Sequence, residues 1–212
     1  MGEPEIADLA EKARELGIGM EIGTRGVEAD HLRRYLTIAK RFGSSMVRTL
    51  THRLDEAALN DLGEVLHEYE KAGVAIALEN HDEHTTRELA SFIDRVGSPH
   101  IGVCLDTVNS FAALEAPETV VKNLAPYTLN LHVKDFEVVR FGSELGFSIV
   151  GRPAGQGRLD VEWIVDELKE AGRSPNAILE LWTPFSGSLE ETIERENEWA
   201  KQSIEYLKTV IQ

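Results

Sequence analysis

Val74-Ala75-Ile76-Ala77-Leu78-Glu79 reads as a strand that ends on a charge. A short apolar run without helical spacing suits a strand buried in a parallel sheet. Its terminal carboxylate leaves the core at the carboxyl end, where parallel α/β folds place their chemistry. The same grammar recurs at Val103-Cys104-Leu105-Asp106, Leu129-Asn130-Leu131-His132 and Ala177-Ile178-Leu179-Glu180. Three carboxylates and one imidazole, each ending a different strand, predict a shared divalent cation with positions left open for a substrate.

Outward from these runs, strand and helix alternate along the whole chain. Strands are expected at Gly19–Ile22, Met46–Leu50, Val74–Glu79, Ile101–Asp106, Thr128–Val133 and Ala177–Leu181. Helical patterning covers 5–16, 28–42, 56–72, 86–96, a short stretch from Pro117 to 125, then 160–171 and 190–210. Thr85-x-x-Glu88 and Ser188-x-x-Glu191 fit capping boxes, and Asp55 and Asp160 are candidate N-caps. Gly17, Gly43, Gly73 and Gly172 fall where helices should stop. The first five strands recur about every 27 or 28 residues, a β-then-α repeat that predicts a parallel sheet with helical crossovers. No glycine-rich phosphate fingerprint follows the first strand, so a (β/α) TIM-type barrel is favoured over a nucleotide-binding doubly wound sheet. About six of the eight strands of such a barrel are present. The insertion at about 137–157 is expected to form a lid or substrate wall.

At 212 residues, one domain over 1–212 is expected. The net charge of −15 argues against a nucleic-acid partner or an anionic membrane. No apolar run reaches spanning length and no leader pattern opens the chain, so a cytoplasmic, reducing location is the expectation. The single cysteine, Cys104, has no cationic neighbour in sequence and reads as packing rather than as a nucleophile.

Five motifs in order resemble the xylose isomerase-like barrel superfamily of sugar isomerases and epimerases. They are Leu78-Glu79-Asn80-His81, Leu105-Asp106-Thr107-Val108-Asn109, His132-Val133-Lys134-Asp135, Gly155-Gln156-Gly157-Arg158-Leu159-Asp160 and Leu179-Glu180. The resemblance covers the chain as that fold's last six units, without the first two βα units. It implies an isomerase or epimerase acting on a keto-sugar or polyol derivative. Glu79, Asp106, His132 and Glu180 would hold Mn²⁺, Mg²⁺, Co²⁺ or Zn²⁺, and Glu79 and Glu180 would serve as the acid–base pair. The cation would polarise a carbonyl, and a carboxylate would remove the neighbouring proton to give an enediolate.

Alternatives with the same site are a dehydratase or lyase on a keto-polyol, and a non-catalytic or partner-dependent barrel subunit. The DNA-repair endonuclease branch of the superfamily is disfavoured, because its additional strand-end histidines are not evident and the charge is wrong. A homo-oligomer covering the open barrel edge is a further expectation.

Further candidate substrate contacts are Glu21, Arg48, His81, Asn109, Lys134, Arg140 and Trp182. Glu21 and Arg48 are expected to end the first two strands, with Arg48 either binding a substrate carboxylate or phosphate or pairing with Glu21. His81 fits a hydroxyl contact or a plain loop histidine. Asn109 stands where many epimerases of this fold carry histidine. Lys134 and Asp135 are expected to pair with each other or to bind substrate. Arg140, Phe141, Phe147 and Arg152 offer a cationic and aromatic lid, or packing of the insertion. Trp182 fits a sugar-stacking position or rim packing.

Overall fold

The computed structural model describes residues 3–140, 142 and 145–211. It gathers into two compact units, Met1–Cys104 and Leu105–Gln212.

The first unit is a regular βα repeat. Strands β1 (Ile22–Arg25), β2 (Met46–Leu50), β3 (Ala75–Glu79) and β4 (Ile101–Asp106, whose last two residues belong to the second unit) are neighbours in chain order. Their registers are parallel, Val47 opposing Ile22 and Ile76, and Glu79 opposing Cys104. Helices α1 (Glu3–Glu15), α2 (Ala29–Phe42), α3 (Glu56–Ala72) and α4 (Thr86–Val96) alternate with the strands. Each helix turns one apolar stripe inward: Leu32, Leu36 and Ala39 from α2, Leu62, Val65 and Tyr69 from α3, Leu89 and Phe92 from α4. Buried Tyr69 satisfies its hydroxyl by donating to the Leu32 carbonyl at 2.8 Å. Asp55 caps α3 by accepting the Ala58 N–H, and Thr85 with Glu88 forms the full capping box of α4. Gly43 and Gly73 end their helices in the left-handed conformation.

The second unit contains α5 (Pro117–Leu124), β5 (Thr128–Val133), α6 (Val161–Glu170), β8 (Asn176–Leu179) and α7 (Leu189–Val210). β5 and β8 pair in parallel, with His132 opposite Ile178. Between them the insertion forms an antiparallel hairpin, β6 (Phe136–Arg140) and β7 (Phe147–Gly151). Phe141 lies outside the described residues. Asp160 and Ser188 cap α6 and α7, as their side chains accept N–H bonds from Trp163 and Glu191. Among the described residues six strands are of the parallel type, and one hairpin is antiparallel. No described helix is long and apolar enough to cross a membrane.

One strand is shifted from its expected place. β1 covers Ile22–Arg25 rather than Gly19–Ile22, so Glu21 precedes the strand instead of ending it. Ile18 is 54% exposed, whereas Ile22 and Val27 are buried. The stretch Gly19–Ile22 leads into the sheet, and the strand itself is short and rich in small and polar residues.

Candidate metal centre

Asp106, at the end of β4, is fully buried. Its Oδ1 accepts the backbone N–H groups of Val108 and Asn109, both at 2.8 Å. Those bonds hold the turn that follows the strand and leave Oδ2 facing the Lys134 ammonium at 3.1 Å. Burial pushes the Asp106 carboxyl above its ordinary value, a push opposed by Lys134 and by the two N–H groups.

His132 and Lys134 come from one stretch of chain, two residues apart. Thr107 Oγ1 donates to the Lys134 carbonyl and accepts its N–H, both at 3.1 Å, which fixes that stretch beside the end of β4. His132 Nδ1 stands 3.1 Å from Glu180 Oε2. Glu180 follows β8 and is positioned by its own N–H, which donates to the Val133 carbonyl at 3.0 Å. Lys134 Nζ lies 3.1 Å from Glu180 Oε1 and donates to Asn109 Oδ1 at 3.0 Å.

The hydrogen bond with His132, helped by Lys134, lowers the Glu180 carboxyl to about 2 against the opposing effect of burial. Burial alone would lower the Lys134 ammonium, but Asp106 and Glu180 outweigh it and raise Lys134.

Ligand atoms of Asp106, His132 and Glu180 all lie within 4.8 Å of one another. Two carboxylates and an imidazole suit a hard or borderline divalent cation. Oδ2 of Asp106 already faces a positive group, so the chemistry of the site fits such an ion.

Lys134 and Asp135 do not pair with each other. Asp135 is 3% exposed and binds only backbone among its described hydrogen bonds. Its Oδ1 accepts from Phe136 at 2.7 Å and Leu159 at 3.0 Å, and its Oδ2 accepts from Gly155 and Gly157 at 2.9 Å each. The Gly155-Gln156-Gly157 loop is therefore wrapped around a carboxylate. Gly155 has φ +82°, and a Cβ on Gly157 would stand 2.2 Å from Asp135 Oδ1.

Of the remaining second-unit candidates, Arg140 ends β6 and is exposed, and Trp182 is 43% exposed. Trp182 runs so close to Gly151 that a Cβ there would meet its carbonyl oxygen at 1.9 Å. Arg152 forms an ion pair with Glu137 across the hairpin base, Nε to Oε2 at 2.7 Å.

In the first unit, Arg48 is paired with Glu79 at 3.0 Å rather than with Glu21. The register explains it: Arg48 opposes Ala77, two residues from Glu79 on the same face of β3, while Glu21 lies before the start of β1. The Glu79 side chain is only 6% exposed. Its backbone opposes Cys104, two residues before Asp106 along β4. His81 pairs with adjacent Asp82, which lowers the Asp82 carboxyl.

A cavity of about 160 Å³ lies beyond the ends of β1 to β3, lined by Arg25, Leu50, His52, Glu79 and His81 among others. Arg25 was missed in the sequence because β1 was placed three residues early. The alternation Ile22-Gly23-Thr24-Arg25 ahead of buried Val27 is the signal that locates it.

The profile of the xylose isomerase-like TIM barrel family matches residues 9–210. The 3-oxo-isoapionate decarboxylase of Pectobacterium atrosepticum is 38% identical over 210 residues, covering 97% of this chain and 76% of that protein. Among solved structures, a D-psicose 3-epimerase determined with D-fructose superposes with TM-score 0.74 at 14% identity, over 100% of this chain and 85% of that one. A xylose isomerase-like barrel protein from Mycobacterium smegmatis in complex with magnesium gives 0.68 at 18% identity, over 96% and 79%. This chain belongs to the xylose isomerase-like TIM barrel family.

Proposed function

We propose that this protein is a divalent-cation-dependent decarboxylase of a polyhydroxylated 3-oxo acid. Asp106, His132 and Glu180 hold the cation, with Glu79 as the fourth ligand. The cation supplies Lewis acidity at the ketone oxygen, and Mn²⁺, Mg²⁺, Co²⁺ and Zn²⁺ all suit the donor set.

The observation that carries the reading is that both glutamates expected to act as bases are already engaged. Glu79 is paired with Arg48 at 3.0 Å, and Glu180 is held by His132 and Lys134 at 3.1 Å each. Isomerisation starts by taking a proton from carbon, so it needs a free base. Loss of CO₂ starts without one: the bond between the α-carbon and the carboxyl breaks, and its electron pair becomes the enolate of the remaining ketone. Lys134 Nζ then gives a proton to the α-carbon and regains one from water. Asn109 Oδ1 accepts from that ammonium and keeps it aimed. The activity named for the Pectobacterium relative supports the same choice.

The test is incubation of the Mn²⁺-loaded protein with 3-oxo-isoapionate in D₂O, followed by mass spectrometry. The expected result is loss of one CO₂ per substrate and gain of one carbon-bound deuterium, stopped by EDTA. A product of unchanged mass apart from deuterium would return the reading to an isomerase or epimerase. Loss of water instead would make it a dehydratase.

A further inference from the structure

Arginine on the first strand faces a cavity with no acid to hold it. Gly23 opposes Arg48, Arg25 opposes Leu50, and Arg48 opposes Ala77. Because side chains alternate along strands, Gly23, Arg25, Arg48, Leu50, Ala77 and Glu79 share one face. A Cβ on Gly23 would come within 2.9 Å of Arg48 Nη2, so the glycine makes room for Arg48 to lie down and reach Glu79. Arg48 is thereby neutralised in place.

Arg25 stands two residues nearer the carboxyl ends and lines the cavity of about 160 Å³ together with Leu50 and Leu89. The acids of that cavity are each matched: Glu79 by Arg48, Asp82 by His81 and Glu83 by His52. Among the described residues, the Arg25 guanidinium has no hydrogen-bond or ion-pair partner. A planar two-pronged donor at the wall of a small cavity, beside a candidate cation ligand, suits a carboxylate.

We infer that Arg25 binds the carboxylate of the substrate, so that the protein selects polyhydroxylated acids over neutral sugars. This rests on the proposed function for the identity of the acid, but the binding site itself can be tested without turnover. Because the contact exists before the C–C bond breaks, it acts on substrate affinity. Arg25→Gln is expected to raise KM with little change in kcat.

The deciding experiment is calorimetric titration of the Mn²⁺-supplemented protein with L-threonate, a carboxylate that cannot decarboxylate by this route, and with threitol, its neutral counterpart. Expected are tighter binding of threonate than of threitol, and a loss of about tenfold or more in threonate affinity in Arg25→Gln. Arg25→Lys should recover part of that loss, and threitol and Mn²⁺ binding should stay unchanged. Equal threonate affinity in wild type and Arg25→Gln, or no threonate binding by the wild type, overturns the assignment. So does a parallel loss of Mn²⁺ and threitol binding in Arg25→Gln. An enzyme that releases no CO₂ yet shows Arg25-dependent threonate binding keeps this site and loses only the proposed reaction.

Discussion

Two buried aspartates of the second unit, Asp106 and Asp135, are used in opposite ways. Asp135 accepts four backbone N–H groups and is saturated by the main chain. Asp106 accepts two such groups on one oxygen and turns the other toward the Lys134 ammonium. A carboxylate bound wholly by backbone is a cross-link, because every acceptor site is fixed in the folding of the loop. A carboxylate with one oxygen facing a long cationic side chain can exchange that partner for an ion. Burial alone does not separate the two, as both are nearly inaccessible.

The largest effect expected from this contrast is on stability at Asp135. Asp135→Ala strands the N–H groups of Phe136, Gly155, Gly157 and Leu159 in a buried loop. The cost should be on the order of 4 kcal/mol in urea unfolding. A loss below about 1 kcal/mol would mean that the loop holds itself, and the contrast would fail.

Asp106→Asn should invert the pattern. The amide keeps the size and one acceptor for Val108 and Asn109 while removing the charge at Oδ2. Affinity for Mn²⁺ should fall about a hundredfold, since a ligand is lost where even an outer-shell change costs ten- to a hundredfold. Stability should change little. The folded state raises the Asp106 carboxyl, so ionisation weighs against folding as pH climbs from the ordinary value through the folded one. The neutral amide removes that cost and gives up the Lys134 pair.

Gly157→Ala sharpens the same comparison from the loop side. The added Cβ would stand 2.2 Å from Asp135 Oδ1 and 2.4 Å from the Phe136 carbonyl oxygen. The loop must open, at about 2 kcal/mol in the same urea assay. Cation affinity should survive, because the Asp106 turn makes none of these bonds.

These contrasts show what the sequence carried and what it hid. Alternating strand and helix, and the helix starts at Asp55, Thr85, Asp160 and Ser188, were legible because their signals are local. The strand ends near Asp106, His132 and Glu180 were legible because each charged or imidazole side chain follows an apolar run. Of the two expectations for Asp135, pairing with Lys134 or binding substrate, the first fails because its described partners are backbone donors up to 24 residues away. Backbone donors leave no mark in side-chain identity. Arg48 had two acids to choose from, Glu21 and Glu79, and only the strand register decides between them. Glu21 itself was misplaced because strand β1 has no apolar run of its own.

The smallest effect concerns Glu180, the third member of the cluster and the most exposed. Its folded value, lowered to about 2, lies below the ordinary 4.5. A lowered carboxylate contributes stability that is full above the unfolded value and is lost as pH falls through the folded one. Wild type should therefore lose stability relative to Glu180→Gln between about pH 4.5 and pH 2. With the side chain 42% exposed, water screens the pair with His132 and Lys134, and the difference should stay under about 1 kcal/mol. Parallel acid limbs for the two proteins would show that His132 and Lys134 do not hold Glu180 in solution. The glutamate would then be free to act as a base, and the case for decarboxylation over isomerisation would lose its physical footing.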